Sequence, residues 1–256
     1  MTQSKAANYF FVTVLVFCSF SLFGQVVDIE SQRFAKKENG FFGEVNFDGS
    51  YTQNTTQVWQ ISNENKLLFQ QTKFSALLFS DFGLVNGNND DLINRGFAHL
   101  RLNYHLNKSK KLTAEAFEQI QYNRIQGINL RQLAGAGLRQ KIVGRDSLES
   151  YFGVLGMYEF EEVIDQNTPN KDFRLSSYFS VDWLLTKSVS FNTIFYYQPL
   201  ANNFSDFRVT NRSTFKFNIT QKWGFKLMFS YLTDSNPPVG IPKEIITIQN
   251  GLGVRF

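Results

Sequence analysis

The sequence predicts an all-β protein: a single antiparallel up-and-down transmembrane β-barrel of about twelve strands, with both termini on the periplasmic side. Three observations carry this. The chain ends on Glu244 to Phe256 (EIITIQNGLGVRF), where Leu252, Val254 and Phe256 share one face and Gly251, Gly253 and Arg255 the other. Soluble domains seldom end flush on an apolar strand, because termini fray. Aromatic residues make up 16% of the chain, with 28 Phe, yet only 43% is hydrophobic. That balance suits a wall that shows lipid an apolar side chain at every second position. Past the first residues, no segment reaches the ~20 apolar residues of a spanning helix.

Residues 1–24 read as a secretory signal peptide. Lys5 gives a thin positive start, and Tyr9 to Phe23 (YFFVTVLVFCSFSLF) is apolar but short for spanning. Gly24 is a small residue at a cleavage point before Gln25. An uncleaved anchor is the rival reading. A lipoprotein site at Cys18 fails because Phe17 stands where a small residue is needed. Cys18 is the one cysteine, so the mature chain has no thiol for disulfides or thiolate metal sites. Residues 25–40 are a polar periplasmic lead-in, and 41–256 form the barrel.

The alternation starts near Gly40. Phe41, Gly43, Val45, Phe47 and Tyr51 oppose Glu44, Asn46, Asp48 and Ser50. Phe173, Leu175, Phe179, Val181 and Trp183 oppose Arg174, Ser176, Tyr178, Ser180 and Asp182. Phe207, Val209, Phe215, Phe217 and Ile219 oppose Arg208, Thr210, Arg212, Thr214, Lys216 and Asn218. Apolar outward and polar inward is the pattern of a membrane barrel. The punctuation places strands at 41–52, 55–69, 73–85, 92–106, 111–124, 128–143, 148–162, 172–185, 188–198, 204–219, 223–233 and 244–256. The break at Gln70–Thr72 lacks Gly or Pro, and without it the count falls to ten. Tight junctions (Asn107–Lys110, Gly144–Ser147, Thr186–Lys187, Thr220–Lys222) alternate with a set that holds most of the longer ones: Asn86–Asp91, Val163–Lys171 and Asp234–Lys243. Short periplasmic turns and longer outer loops alternate in this way. Trp183 and Trp223 fall near one rim and Trp59 near the other, as interfacial girdles require.

The net charge of +4 is small, and basic residues are scattered among acidic ones. A nucleic-acid footprint needs them clustered, so nucleic acid is not an expected partner. The expected partners are outer-membrane lipid and the barrel-assembly machinery, which reads a C-terminal strand ending in Phe256. The expected address is the outer membrane of a Gram-negative bacterium.

Chemistry, if present, lies on the inner face. Arg95, His99, Arg101, Asn103 and His105 share it on one strand; Glu115, Gln119, Gln121 and Asn123 share it on the next. A turn centred near Ser109 sets His99 opposite Gln119, with Arg101 diagonal to Glu115. A hairpin centred near Asp146 sets Arg131 opposite Glu159 or Glu161. Arg208, Arg212 and Lys216 form a basic ladder with Arg174 nearby, balanced in the plainer reading by Asp182 and other carboxylates. Both signs alternate from strand to strand, which favours a braced, charge-filled lumen over an acid–base or anion site. The resulting expectation is a structural or envelope-stress role, or a narrow, weakly anion-preferring channel, and not an enzyme. A lipid-acting hydrolase is the alternative. It needs a serine within hydrogen-bond reach of a histidine, and only inward-pointing His99 and His105 exist, with Ser75 the nearest inward serine. The two histidines lie roughly 20 Å apart along one strand, too far to share a metal ion. No cofactor is expected. Gly135 and Gly137, in the run AGAG, make room for bulky neighbours or curvature.

From about Asn94 the chain resembles a bacterial family of outer-membrane barrels of unknown function, often labelled salt-induced outer-membrane proteins. The stretches that carry the resemblance are NRGFAHLRLNY (Asn94–Tyr104), LTAEAFEQIQYNR (Leu112–Arg124), LRQLAGAGLRQ (Leu130–Gln140), MYEFEE (Met157–Glu162) and SDFRVTNRSTFKFNIT (Ser205–Thr220). TDSNPP at Thr233–Pro238 and the terminal GLGVRF complete it. The resemblance implies the barrel and its address, and no mechanism. One residue departs from the pattern: Glu118 points at lipid, which calls for a bulge there or a place near the rim.

Overall fold

The computed structural model of the protein describes residues 39–53, 57–87, 90–164, 166–220 and 223–254. The expected signal peptide, most of the lead-in and Phe256 lie outside the described residues. Twelve strands follow one another: β1 (Gly40–Gln53), β2 (Gln57–Gln70), β3 (Phe74–Gly87), β4 (Asp90–His105), β5 (Leu112–Asn123), β6 (Ile128–Arg145), β7 (Leu148–Val163), β8 (Asn170–Thr186), β9 (Val189–Leu200), β10 (Asn203–Asn218), β11 (Trp223–Asp234) and β12 (Glu244–Val254). Each pairs antiparallel with the next, so the sheet order is the chain order. The doubtful break is real: β2 and β3 separate at residues 71–73, where the Gln71 amide donates to the Phe74 carbonyl at 2.8 Å. The ten-strand alternative is thereby set aside. The one helical turn among the described residues, Arg124–Gln126, is a 3-10 turn between β5 and β6, capped by the Asn123 side chain and by Gly127 at φ 68°.

Period two decides which face is buried. On β7, Tyr151, Leu155, Met157, Glu159 and Glu161 are buried, while Phe152, Val154 and Tyr158 are exposed. On β8, Arg174, Ser176, Tyr178 and Ser180 are buried, while Phe173, Leu175 and Phe179 are exposed. The buried row carries the charges and the exposed row the phenylalanines, the reverse of a soluble sheet. The sheet curls around the polar row. Arg208 of β10 reaches Glu159 of β7, Tyr178 of β8 reaches Glu115 of β5, and Arg101 of β4 reaches Tyr196 of β9. Among the described residues no ladder joins β12 to β1.

The two ends differ. Gly40 is level with Gln70, and Val254 with Trp223, so the sheet begins and ends at the same, tight-turn end. The longest connection, after Asp234, lies at the opposite end. The one after Val163 is no longer than the β4–β5 connection at the tight-turn end. The loop expected at Asn86–Asp91 is largely strand, since β3 runs to Gly87 and Asn86 pairs with Asp91 of β4. Trp183 and Trp223 are exposed near the tight turns, and Trp59 near the loops, where it packs on Tyr51 with ring centroids 4.3 Å apart.

Glu118 is a correction to the sequence reading. It faces outward, as its parity requires, but the ladders run unbroken through it, Leu100 on one side and Ala134 on the other. The register shift of that hairpin lies elsewhere, between Gln121 and Asn123. Glu118 is therefore neither bulged nor at a rim. It stands in mid-strand, and small Ala116, Ala134 and Ala136 around it leave the carboxylate exposed.

Candidate functional site

The inner face carries its charges in layers. The layer nearest the loop end centres on Glu159, which is 0% exposed. Arg131 of β6 donates through Nε to Glu159 Oε1 at 2.5 Å. Arg174 of β8 donates through Nε to Glu159 Oε2 at 2.6 Å. Arg208 of β10 reaches Oε1 through Nη1. Glu161, two residues along β7, takes Arg208 Nη2 at 3.1 Å and lies 3.6 Å from Arg131 Nε. Arg208 Nε also meets Asp234 Oδ2 of β11 at 2.6 Å, and Arg174 Nη2 meets Asp206 Oδ1 of β10 at 2.9 Å. Buried charges are tolerable only when paired in this way. Three guanidiniums and four carboxylates thus tie β6, β7, β8, β10 and β11 together across the interior.

A second layer lies toward mid-strand. Glu115 of β5 accepts from Tyr178 Oη of β8 at 2.5 Å and pairs with Arg139 Nη1 of β6 at 2.8 Å. Arg139 also lies over the Tyr151 ring, 4.7 Å from its centre, a cation–π contact. Arg101 Nη2 lies 3.5 Å from Tyr196 Oη. His99 Nδ1 is 3.1 Å from Gln119 Oε1, and its ring stacks between Phe97 and Phe117 at 6.2 Å and 5.4 Å. Nearer the tight turns, Lys141 pairs with Glu149 at 3.0 Å, and Asp182 accepts from Asn192.

The residues singled out in the sequence are distributed as follows. Arg131, Glu159, Glu161, Arg174 and Arg208 meet in one cluster. His99, Arg101, Glu115 and Gln119 gather in the layer below. Arg95 pairs with Asp81 of β3 at 3.2 Å, and buried Arg212 of β10 faces the same carboxylate's field. Lys216 is exposed, two residues from the end of β10. Asp182 lies near the tight-turn end of β8, so it does not offset Arg208, whose partners are Glu159, Glu161 and Asp234. His105 Nδ1 is 3.0 Å from Thr113 Oγ1, and Ser75 Oγ accepts from Asn103 at 3.2 Å. Sequence reasoning missed Asp206, Asp234 and Arg139. Arg139 had the right parity and could have been found; Asp206 falls where the β9–β10 register shifts, between Asn203 and Phe207, and alternation there loses its meaning.

Fold and interior together define a class, an all-β protein of twelve up-and-down strands curled around paired charges. Residues 32–256 match the family described as "Protein of unknown function, DUF481", and the chain belongs to that family. It is the family of salt-induced outer-membrane proteins that the motifs from Asn94 onward resemble. No curated protein matches the sequence. Among solved structures, a structure titled "NanC porin structure in rhombohedral crystal form" is similar at 11% identity and a TM-score of 0.48, covering 83% of this chain and 99% of that one. "CymD monoaromatic hydrocarbon channel" is similar at 10% identity and a TM-score of 0.47, covering 86% of this chain and 80% of that one. "KdgM porin" gives 10% identity and 0.39, covering 84% and 98%.

Proposed function

We propose that the protein is an outer-membrane β-barrel, closed in the membrane by β1 meeting β12, whose lumen is braced by ion pairs rather than open. The observation that carries this is the convergence of three arginines, from β6, β8 and β10, on fully buried Glu159. Such a layer fixes the strands against one another and fills the path a solute would take. The role is envelope-structural, with at most narrow conduction. The exposed outer row of Phe and Leu supports the membrane placement, as do the tryptophans near both rims. In this reading the tight turns face the periplasm.

Water has more access along β1 to β3 and β10 to β12. There Lys66, Arg212, Lys216 and Lys226, joined by Arg95 of neighbouring β4, face Glu44, Asp48, Glu64 and Asp81, a surplus of one cation. The loop-end layer has the opposite balance, so any anion preference is weak. Planar-bilayer recording on purified, refolded protein tests the reading. Small or absent conductance, with a reversal potential only slightly on the anion side, is expected; a large, unselective conductance refutes it.

A further inference from the structure

Inside the curl, beside the ionic layers, lies a cavity of about 140 Å³. It runs from the 3-10 turn, where Gln126 lines it, to the rings of Phe97 and Phe117 on β4 and β5. Tyr178 and Tyr196, with ring centroids 5.4 Å apart, form a second aromatic wall from β8 and β9. Between the rings the polar lining is amide and hydroxyl, with His99 and the guanidiniums of Arg101 and Arg131 beside them. Gln121 accepts from Gln119 at 2.9 Å through its carbonyl oxygen, leaving its own N–H donors for a guest. Gln198 donates to Ser176 at 3.2 Å, leaving its carbonyl oxygen to accept. We infer that this cavity binds a neutral, polyhydroxylated ring of monosaccharide size. Aromatic faces suit the C–H faces of such a ring, and paired donors and acceptors suit its hydroxyls.

Charge sets the choice of a neutral guest. Arg131 lines the cavity but is held by Glu159 and Glu161. Arg101 lines it against the Tyr196 hydroxyl, and Tyr178 beside it holds Glu115. Among the described residues no carboxylate lines the cavity, and both guanidiniums are already engaged, so a carboxylate on the guest would have to draw one of them from its present partners.

The test is calorimetric titration of refolded, detergent-solubilised protein with D-glucose, D-glucuronate and cyclohexanol. Saturable glucose binding, on the order of millimolar, is expected, with cyclohexanol and glucuronate each weaker. Gln121→Ala should weaken glucose by about five-fold, the loss of one neutral hydrogen bond. Lys216→Ala, away from the cavity, should leave it unchanged. Tyr196 touches Arg101, so its removal endangers the fold; Gln121→Ala, half-buried and outside the ion pairs, is the variant that decides. The inference falls if glucose does not saturate, if cyclohexanol or glucuronate binds as well, or if Gln121→Ala has no effect in protein of unchanged circular dichroism. The titration requires no transport, so its failure leaves the bracing reading standing, and a large conductance leaves the titration result untouched.

Discussion

Glu159 accepts from three guanidiniums at once, and this makes the layer's members unequal. Removing Arg131 leaves Glu159 with Arg174 and Arg208. Removing the charge of Glu159 leaves three guanidiniums, two of them buried, short of one carboxylate. Breaking a buried pair by deleting one partner costs about 3–5 kcal/mol, so Glu159→Gln should approach that figure and Arg131→Ala should fall well below it. Thermal unfolding in detergent reads the order, and equal losses would mean the layer is wet and its pairs independent. Glu118 poses the opposite case, a mid-strand carboxylate on the outer face with Leu100 and Ala134 beside it. A charge on a lipid-facing wall costs up to ~2–4 kcal/mol at mid-depth for Lys or Arg and less for Glu. Glu118→Leu should therefore raise stability by less than that amount in urea unfolding from vesicles. A fall instead would mean that this part of the wall does not face lipid.

At the scale of the strand and hairpin, glycine placement decides how closely the interior packs. A Cβ at Gly153 of β7 would stand 2.2 Å from the Tyr178 ring, and one at Gly137 of β6 would stand 2.1 Å from the Val154 carbonyl oxygen. The first clash is with a side chain and can be relieved; the second is with backbone and cannot. Overpacking typically costs about 1–3 kcal/mol, so Gly153→Ala should lose that much, and Tyr178→Leu added to it should recover part of the loss in a double-mutant cycle. Strict additivity would place the two residues out of contact. The strands themselves were legible in the sequence, because a period of two written over ten or more residues leaves one register that buries charge and exposes phenylalanines. The Arg131–Glu159 contact was legible for the same reason, since the turn at Gly144–Ser147 fixes the hairpin. Arg208–Glu159 was not: those residues lie three strands apart, and their meeting depends on the curl, which no local pattern records. Asp206 was hidden by the register shift, and the cavity by the fact that it is bounded by eight strands at once.

For the molecule as a whole, the unfinished matter is the seam. β1 and β12 each keep one edge outside the described ladders, 14 and 11 residues long. Hydrocarbon offers no partner to backbone amides, and each unsatisfied group there costs several kcal/mol. A sheet that spans a membrane must therefore pair these edges, and the simplest partner for β12 is β1, since both chain ends of the sheet lie at the tight-turn end. On the proposed reading closure is a step of assembly in the membrane, and we propose that the C-terminal sequence through Phe256 directs it. Three outcomes follow from that picture. The protein should fractionate with outer membrane and migrate differently on gels before and after boiling, because a closed barrel resists detergent until heated. Deleting Phe256 should lower the heat-modifiable form several-fold while leaving secretion intact, with the unassembled chain accumulating in the periplasm. Recovery of the intact protein as a soluble periplasmic monomer would overturn the membrane reading altogether. An unchanged barrel yield after the deletion would instead leave the barrel in place and remove the terminal residue from its assembly.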